Sequence, residues 1–458
     1  RIKHLIVIRE NKFLVRLIQF VFMVMAKTLL TDYPDDIAAG EYFANPQNIQ
    51  TTQQTEQAAQ QAWYQALHEL DKGLKDTPWF TPSLDDQDWQ TLTVPGNLPG
   101  SESGFAGVWW LRKHVFLAEV PDAPLTLRLG RIVDADEAYV NGQRVGNTTY
   151  QYPPRRYTVP VSALRKGDNV IAIRVVSNGG STGFVPDKMY FLGNDQARIS
   201  LAGDWQYKVA ATTENTPSTT FIRWKPMGLF NAMIAPATQF PISGVLWYQG
   251  ESNASRPEDY RDKLTSMMTN WRARWQQPDL PFFIVQLTNF MERHDKPTDS
   301  SWARLRDQQY KSTELDNTAL IVTIDIGEWN DIHPVNKKAV GQRLALAAQH
   351  LVYKHPVTYR GPEISGITRD GNTLTLTFAH ADDGLHANTS LRKSFAIAGQ
   401  DGRFHWANVQ LSGNKITLQH PDVVSPTTVR YAWGDNPAAG LYNRAGLPAP
   451  PFERTVSP

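Results

Sequence analysis

At 458 residues the chain is too long for one ordinary domain, and two or three are expected. Its 41% hydrophobic and 11% aromatic content supports sizeable cores, while a net charge of +1 gives no electrostatic basis for binding nucleic acid or an anionic membrane surface. With no cysteine, disulfides, thiolate catalysis and cysteine-ligated zinc are excluded.

The first residue is Arg1, and Arg1, Lys3, Arg9 and Lys12 precede an apolar run over 13–25 that Arg16 and Gln19 interrupt. A secretory signal needs an unbroken apolar core and a small-residue cleavage site, and a membrane span needs a longer run. The segment meets neither requirement well, and an incomplete or altered terminus fits it as well as targeting does. Over 46–74 the chain is rich in Gln and Ala, with Trp63, Leu67 and Leu70 at helical spacing, which predicts an exposed helix or linker.

From Thr77 onward short β runs take over: Val108-Trp109-Trp110-Leu111, Leu125-Thr-Leu-Arg-Leu129, Glu137-Ala-Tyr-Val140 and Asn169-Val-Ile-Ala-Ile-Arg-Val175. Val140-Asn141-Gly142-Gln143 predicts a tight hairpin, because Asn-Gly tolerates the positive φ of a type I′ turn. A β-sandwich is expected to about residue 200. From Asn231 the pattern changes to α/β. Val245-Leu-Trp-Tyr248, Phe282-Phe-Ile-Val-Gln286 and Ala319-Leu-Ile-Val-Thr323 read as buried parallel strands, with helical patterns over 260–275, 302–315 and 336–353. After Pro356 the runs Thr373-Leu-Thr-Leu-Thr-Phe378, Lys415-Ile-Thr-Leu418 and Thr428-Val-Arg-Tyr431 return the chain to β structure.

Ligand chemistry in such a sheet belongs at the carboxyl ends of the strands, where Gly250-Glu-Ser-Asn253 falls. A glycine and an asparagine just past a strand can aim a backbone N–H and a side-chain amide at one point, as an oxyanion hole requires. The same residues also suit a tight turn with an Asn cap. Asp331-Ile-His333-Pro334 supplies a candidate base, His333, and a candidate orienter, Asp331, with Pro334 placed for a first helical position. A capping Asp beside a surface histidine is the plainer alternative. Ser252 lacks the second glycine of a nucleophile elbow, since Ala254 stands there. Glu251, opposed by Asp331 or Glu328, would fit a glycosidase. Arg306 either grips a substrate carboxylate or pairs with Asp307 or Glu314 at the surface.

Together these residues resemble the sialate O-acetylesterase family, carbohydrate acetylesterases of the SGNH-hydrolase type. Phe230-Asn-Ala-Met-Ile-Ala-Pro236 followed by Gly244-Val-Leu-Trp-Tyr-Gln-Gly-Glu-Ser-Asn253 is similar to the family's most specific block. Trp302-Ala-Arg-Leu-Arg-Asp-Gln-Gln309, Asp331-Ile-His-Pro334, Val429-Arg-Tyr-Ala-Trp-Gly-Asp-Asn-Pro437 and Leu441-Tyr-Asn-Arg-Ala-Gly-Leu-Pro448 are similar to others. The resemblance implies a parallel SGNH-like sheet with helices on both faces, interrupted by a jelly-roll, galactose-binding-like insert. It divides the chain into an atypical segment 1–24, a catalytic-domain remnant and helical linker 25–76, the insert 77–200, the rest of the hydrolase domain 201–355 and a β region 356–458.

By that resemblance Gly250 and Asn253 form the oxyanion hole and His333 is the base. Asp331 or a backbone carbonyl orients His333, and Gln249, Glu251 and Arg306 contact substrate. An O-acetylated sialic acid is the implied substrate, with no metal or organic cofactor, no nucleic acid and no membrane partner, and with a periplasmic or secreted location for the complete protein. The family's nucleophile lies in a Gly-Gln-Ser-Asn-Met block that these 458 residues do not contain. A truncated form with low or no activity is therefore expected. A non-catalytic sugar-binding protein, an acetyl-xylan type esterase and a Glu251 glycosidase are the alternatives.

Overall fold

A computed structural model describes residues 5–9 and 34–456, apart from 102, 103, 105, 195, 196 and 223–228. The apolar run 13–25 lies outside the described residues. The chain forms two compact units, Gln47–Thr220 and a second that joins Arg1–Pro46 to Phe221–Pro458. The fold is α/β with several sheets.

The Gln47–Thr220 unit is an antiparallel sandwich. One sheet orders its six strands Gln90–Val94, Gly203–Thr213, Ala106–Leu117, Gly167–Ser177, Ala135–Val140 and Gln143–Thr148. A second orders Arg198–Ser200, Tyr190–Gly193, Leu125–Leu129 and Arg156–Val159. Strand periodicity decides what each face does. Trp109 and Leu111 join Leu125, Leu127 and Leu129 in the core between the sheets, whereas Val108 and Trp110 face the other way. The Asn-Gly hairpin forms as expected, with Val140 opposite Gln143 and positive φ at Asn141 (48°) and Gly142 (86°).

The helix expected here forms over Pro46–Leu70 and is exposed along most of its length, with one buried stripe. Trp63 and Leu67 are buried against Val108 and Trp110, and only Leu70 of the three spaced residues is exposed. Just beyond it, fully buried Asp71 accepts three hydrogen bonds: from Gly73 N (2.8 Å), Trp110 Nε1 (3.1 Å) and Arg174 Nε (2.7 Å). One carboxylate thus joins the end of the helix to two strands of the six-stranded sheet. Replacing Asp71 by Ala leaves the Arg174 charge and the Trp110 donor unmatched, and should lower the stability of this unit by about 3–5 kcal/mol. Urea denaturation followed by tryptophan fluorescence measures the loss, and an unchanged midpoint would refute it.

In the other unit four parallel strands lie in the spatial order β1 (Leu5–Arg9), β2 (Gly244–Tyr248), β3 (Phe282–Val285) and β4 (Thr318–Ile321). Helices α1 (Tyr260–Arg274), α2 (Ser301–Lys311) and α3 (Lys337–Leu351) follow β2, β3 and β4. Alternate residues again separate two cores. Val245, Trp247, Phe282 and Ile284 pack with Leu264, Met267 and Trp271 of α1 and with Trp302 and Leu305 of α2. Phe283, Val285, Ala319 and Ile321 pack with Val340 and Ala347 of α3. Helices therefore cover both faces. The segment 1–24, expected to be atypical, supplies the edge strand β1, paired from Leu5 opposite Gly244 to Arg9 opposite Tyr248. Its Leu-Ile-Val-Ile run has the β-branched content that a strand favours.

The C-terminal β region holds two four-stranded antiparallel sheets and a two-stranded one, around a core that includes Leu374, Phe378, Phe395, Ile397, Tyr431 and Phe452. Val322 and Ile324, just past β4, enter the same core, so this region is continuous with the α/β part. No helix among the described residues is long and apolar enough to cross a membrane.

Candidate active site

Because β2, β3 and β4 are parallel, the segments that leave them open along one edge of the sheet. Those segments carry Gln249 to Asn253, Gln286 to Asn289 and Glu328 to His333.

After β2 the chain makes one 3-10 turn, Glu251–Asn253, closed by Asn253 N donating to Gly250 O at 2.8 Å. A side chain on Gly250 would not fit without movement. A Cβ there would lie 3.0 Å from Gln309 Nε2 and 3.1 Å from both Leu287 and Leu305. Gln249, expected to contact substrate, is instead fully buried, and its Nε2 donates to Asn253 Oδ1 at 2.9 Å. The Gln249 carbonyl accepts from Tyr260 Oη (2.9 Å) and from Gln309 Nε2 (3.0 Å). Trp247 Nε1 reaches the same hydroxyl at 3.4 Å. Asn253 is thereby held by its oxygen, and its Nδ2 has no acceptor among the described residues. Ser252 is exposed and makes no side-chain hydrogen bond among the described residues; Glu251 is half-buried.

Helix α2 explains why this turn is fixed. Ser300 caps it, accepting from Ala303 N at 2.9 Å. Trp302, Arg306 and Gln309 are spaced to share one face of the helix. That face holds the segment after β3. Gln309 Oε1 accepts from Leu287 N (2.9 Å), Arg306 Nε donates to Leu287 O (2.8 Å), and Trp302 Nε1 and Arg306 Nη2 both donate to Thr288 O (2.9 and 2.6 Å). Arg306 extends further, through Nη1 to Gly434 O (2.7 Å) and Nη2 to Asp435 O (2.9 Å). The guanidinium is fully buried. Burial pushes its pKa down to about 9, with the Asp435 charge acting against that, so it stays protonated at neutral pH. Neither surface pairing nor a grip on substrate describes Arg306: its donors are taken by main-chain carbonyls, which makes it a positioning residue. Both Gln249 and Arg306 had been expected to contact substrate; here Arg306 holds backbone, and the Gln249 side chain holds the Asn253 amide.

The His333 loop is built by its own acids. Asp331, buried, accepts from His333 N at 2.9 Å, and Glu328 Oε1 accepts from Val335 N at 3.0 Å. Asp331 thus fixes the backbone at His333, and both carboxylates proposed to oppose Glu251 shape the loop. Ile332 packs on the core that contains Trp247, Leu287 and Leu305. Helix α3 begins at Lys337 with Asn336 as its cap, so Pro334 precedes the helix, contrary to its expected first helical position. Lys337 places its ammonium 4.7 Å from the Tyr248 ring centre, linking the start of α3 to the residue before Gln249.

Gly250, Asn253, Gln249 and Gln309 therefore form one bonded or contacting group, with the His333 loop on the same sheet edge. Sequence reasoning missed Gln309 and Tyr260. Gln309 had a signal, since it falls three residues after Arg306 in the same block; Tyr260 had none. Replacing Arg306 by Met leaves the Leu287 and Gly434 carbonyls without a donor, while Thr288 O keeps Trp302 Nε1 and Asp435 O keeps Phe290 N. The change should destabilise the protein by about 2–6 kcal/mol at 1–3 kcal/mol per unsatisfied buried group. A urea midpoint equal to that of the parent protein would disprove the positioning role.

The family profile described as "Carbohydrate esterase, sialic acid-specific acetylesterase" matches residues 213–350. Sialate O-acetylesterase of Mus musculus is 29% identical over 259 residues, covering 50% of this chain and 47% of the mouse protein. The human protein of that name is also 29% identical over 259 residues, covering 49% of this chain and 48% of the relative. The chain spans about half the length of these curated relatives. A crystal structure of a carbohydrate acetylesterase from Xanthomonas citri aligns with a TM-score of 0.48 at 26% identity, covering 75% of this chain and 99% of the other.

Proposed function

The chain belongs to the sialate O-acetylesterase family, and from that premise we propose that it carries the oxyanion and base side of a serine-type acetyl-ester hydrolase acting on O-acetylated sialic acid. On this reading the four parallel strands are the SGNH-type sheet, and the antiparallel sandwich is the jelly-roll insert. The observation that carries the proposal is the hydrogen bond from Gln249 Nε2 to Asn253 Oδ1. It fixes which end of the Asn253 amide is available, and that end is a donor.

An acetyl carbonyl placed at the turn would receive Asn253 Nδ2 and the Gly250 N–H. Both are held before the reaction begins, so stabilising the developing oxyanion requires little reorganisation. His333 accepts the proton of the attacking hydroxyl and later returns it to the leaving sugar oxygen. Water then attacks the acyl group with His333 as base, releasing acetate. Asp331 contributes by holding the His333 backbone. The attacking serine belongs to the Gly-Gln-Ser-Asn-Met block that is absent from the 458 residues. The chain as written should therefore keep only the residual catalysis of an oxyanion hole and binding, about 10³–10⁴-fold over water.

Assays with p-nitrophenyl acetate and 9-O-acetylated sialic acid test this. Slow hydrolysis is expected, reduced a further 10²–10³-fold, as an estimate of about one lost oxyanion donor, by Asn253→Ala. Fast turnover abolished by His333→Ala would overturn the low-activity reading while keeping the base. Equal rates in Asn253→Ala and the parent protein would overturn the oxyanion assignment.

A further inference from the structure

A cavity of about 300 Å³ lies between the segment that follows β3 and the C-terminal β region. It uses none of Gly250, Asn253 or His333. Arg293, Lys296, Arg392 and Lys393 line it, with Asp435 as the acidic residue among the lining side chains. Such a concentration of positive charge stands out in a chain whose net charge is only +1. The one carboxylate is already engaged, since Asp435 Oδ1 accepts from Ser300 Oγ at 2.6 Å. Lys393 has Asp295 at 3.2 Å, but both side chains are largely in water, where such a pair holds weakly. Lys296 and Arg392 have no ion pair among the described residues.

Two indoles complete the wall, Trp406 and Trp433. Trp406 is fixed by its Nε1 donating to Asp295 O at 2.8 Å. The floor is fixed as well. Arg293 Nε donates to Asn436 O at 3.3 Å, and Asn436 exchanges hydrogen bonds with Asn289 and Met291 at 3.0 Å each. A fixed apolar ring beside exposed cations suits a ligand with one flat apolar face and one anionic group. The volume is at the small end of the range for ligand sites, about 300–1,000 Å³, which accommodates a single sugar ring.

We propose that this cavity binds an acidic sugar residue, with its carboxylate held by Arg392 and Lys296 and its pyranose ring against Trp406. The cavity is lined by none of Gly250, Asn253 or His333. It gives the protein a grip on carboxylated glycans, whether sialosides or uronosides.

Isothermal titration calorimetry on the full chain tests it, with three ligands that carry no ester: the methyl α-glycoside of N-acetylneuraminic acid, methyl glucuronide and methyl α-mannoside. At least one acid should bind saturably, more weakly as salt rises, and the neutral mannoside should not. Whichever acid binds identifies the source of the carboxylate. The double variant Lys296→Gln/Arg392→Gln should weaken binding at least about tenfold, and Trp406→Ala should weaken it too. Both mutated cations are exposed, so the fold and the rate with p-nitrophenyl acetate should not change. Mannoside binding as tight as the acids, no binding of either acid, or unchanged affinity in the double variant would each overturn the proposal. Glycoside binding without any ester hydrolysis would leave it standing and remove only the esterase reading.

Discussion

The guanidinium of Arg306 is the interaction on which the carboxyl edge of the parallel sheet depends. It is a full charge with no exposure, matched by the carbonyls of Leu287, Thr288, Gly434 and Asp435. A cation taken out of water is tolerable only when its donors are matched in this way. Two of those carbonyls come from the segment after β3 and two from the C-terminal β region. The β region is therefore a necessary part of the site's support. Without the backbone at 434 and 435, Arg306 would lose half its acceptors, and the grip on Leu287 and Thr288 would weaken with it.

Around this charge the site is held by neutral amides. Gln309 bonds Leu287 N and Gln249 O, and Gln249 bonds Asn253. Each amide offers a donor and an acceptor on one rigid plane, so it can satisfy two main-chain or side-chain partners without adding a buried charge. The chain of contacts runs from helix α2 to the turn after β2. A Cβ at Gly250 would press on Gln309, Leu287 and Leu305, so glycine lets the turn come this close to the helix whose Gln309 bonds it.

Much of the fold could be read from pattern. The runs at 245–248, 282–286 and 319–323 became parallel strands within a residue or two, because a short apolar run between helical patterns has few other homes. Asn141-Gly142 became a hairpin because its backbone preference is local. The failures share a cause as well. Trp63 and Leu67 were read as exposed because the sheet face that buries them lies over forty residues downstream, at Val108 and Trp110. The true partners of Arg306 are main-chain carbonyls, and those of Gln249 are the Asn253, Tyr260 and Gln309 side chains brought in by tertiary packing, which local residue type and spacing do not announce. The prior for a long polar side chain favours the surface, and only tertiary context reverses it.

The segment 434–436 faces two ways, and that links the site's support to the cationic cavity. Its carbonyls at 434 and 435 point at Arg306, while the Asp435 carboxylate takes Ser300 Oγ, the capping hydroxyl of α2. Asn436 secures Asn289 and Met291, which lie on the segment leaving β3. The same three residues thus set the helix that holds Asn253 in place and the floor of the cavity lined by Lys296 and Arg392. A sugar seated in that cavity would rest on backbone already fixed relative to the carboxyl edge of the sheet. Substitutions of the exposed cations should then change only ligand affinity, whereas substitutions at Asp435 or Asn436 should disturb both affinity and stability, because their side chains are also part of the frame.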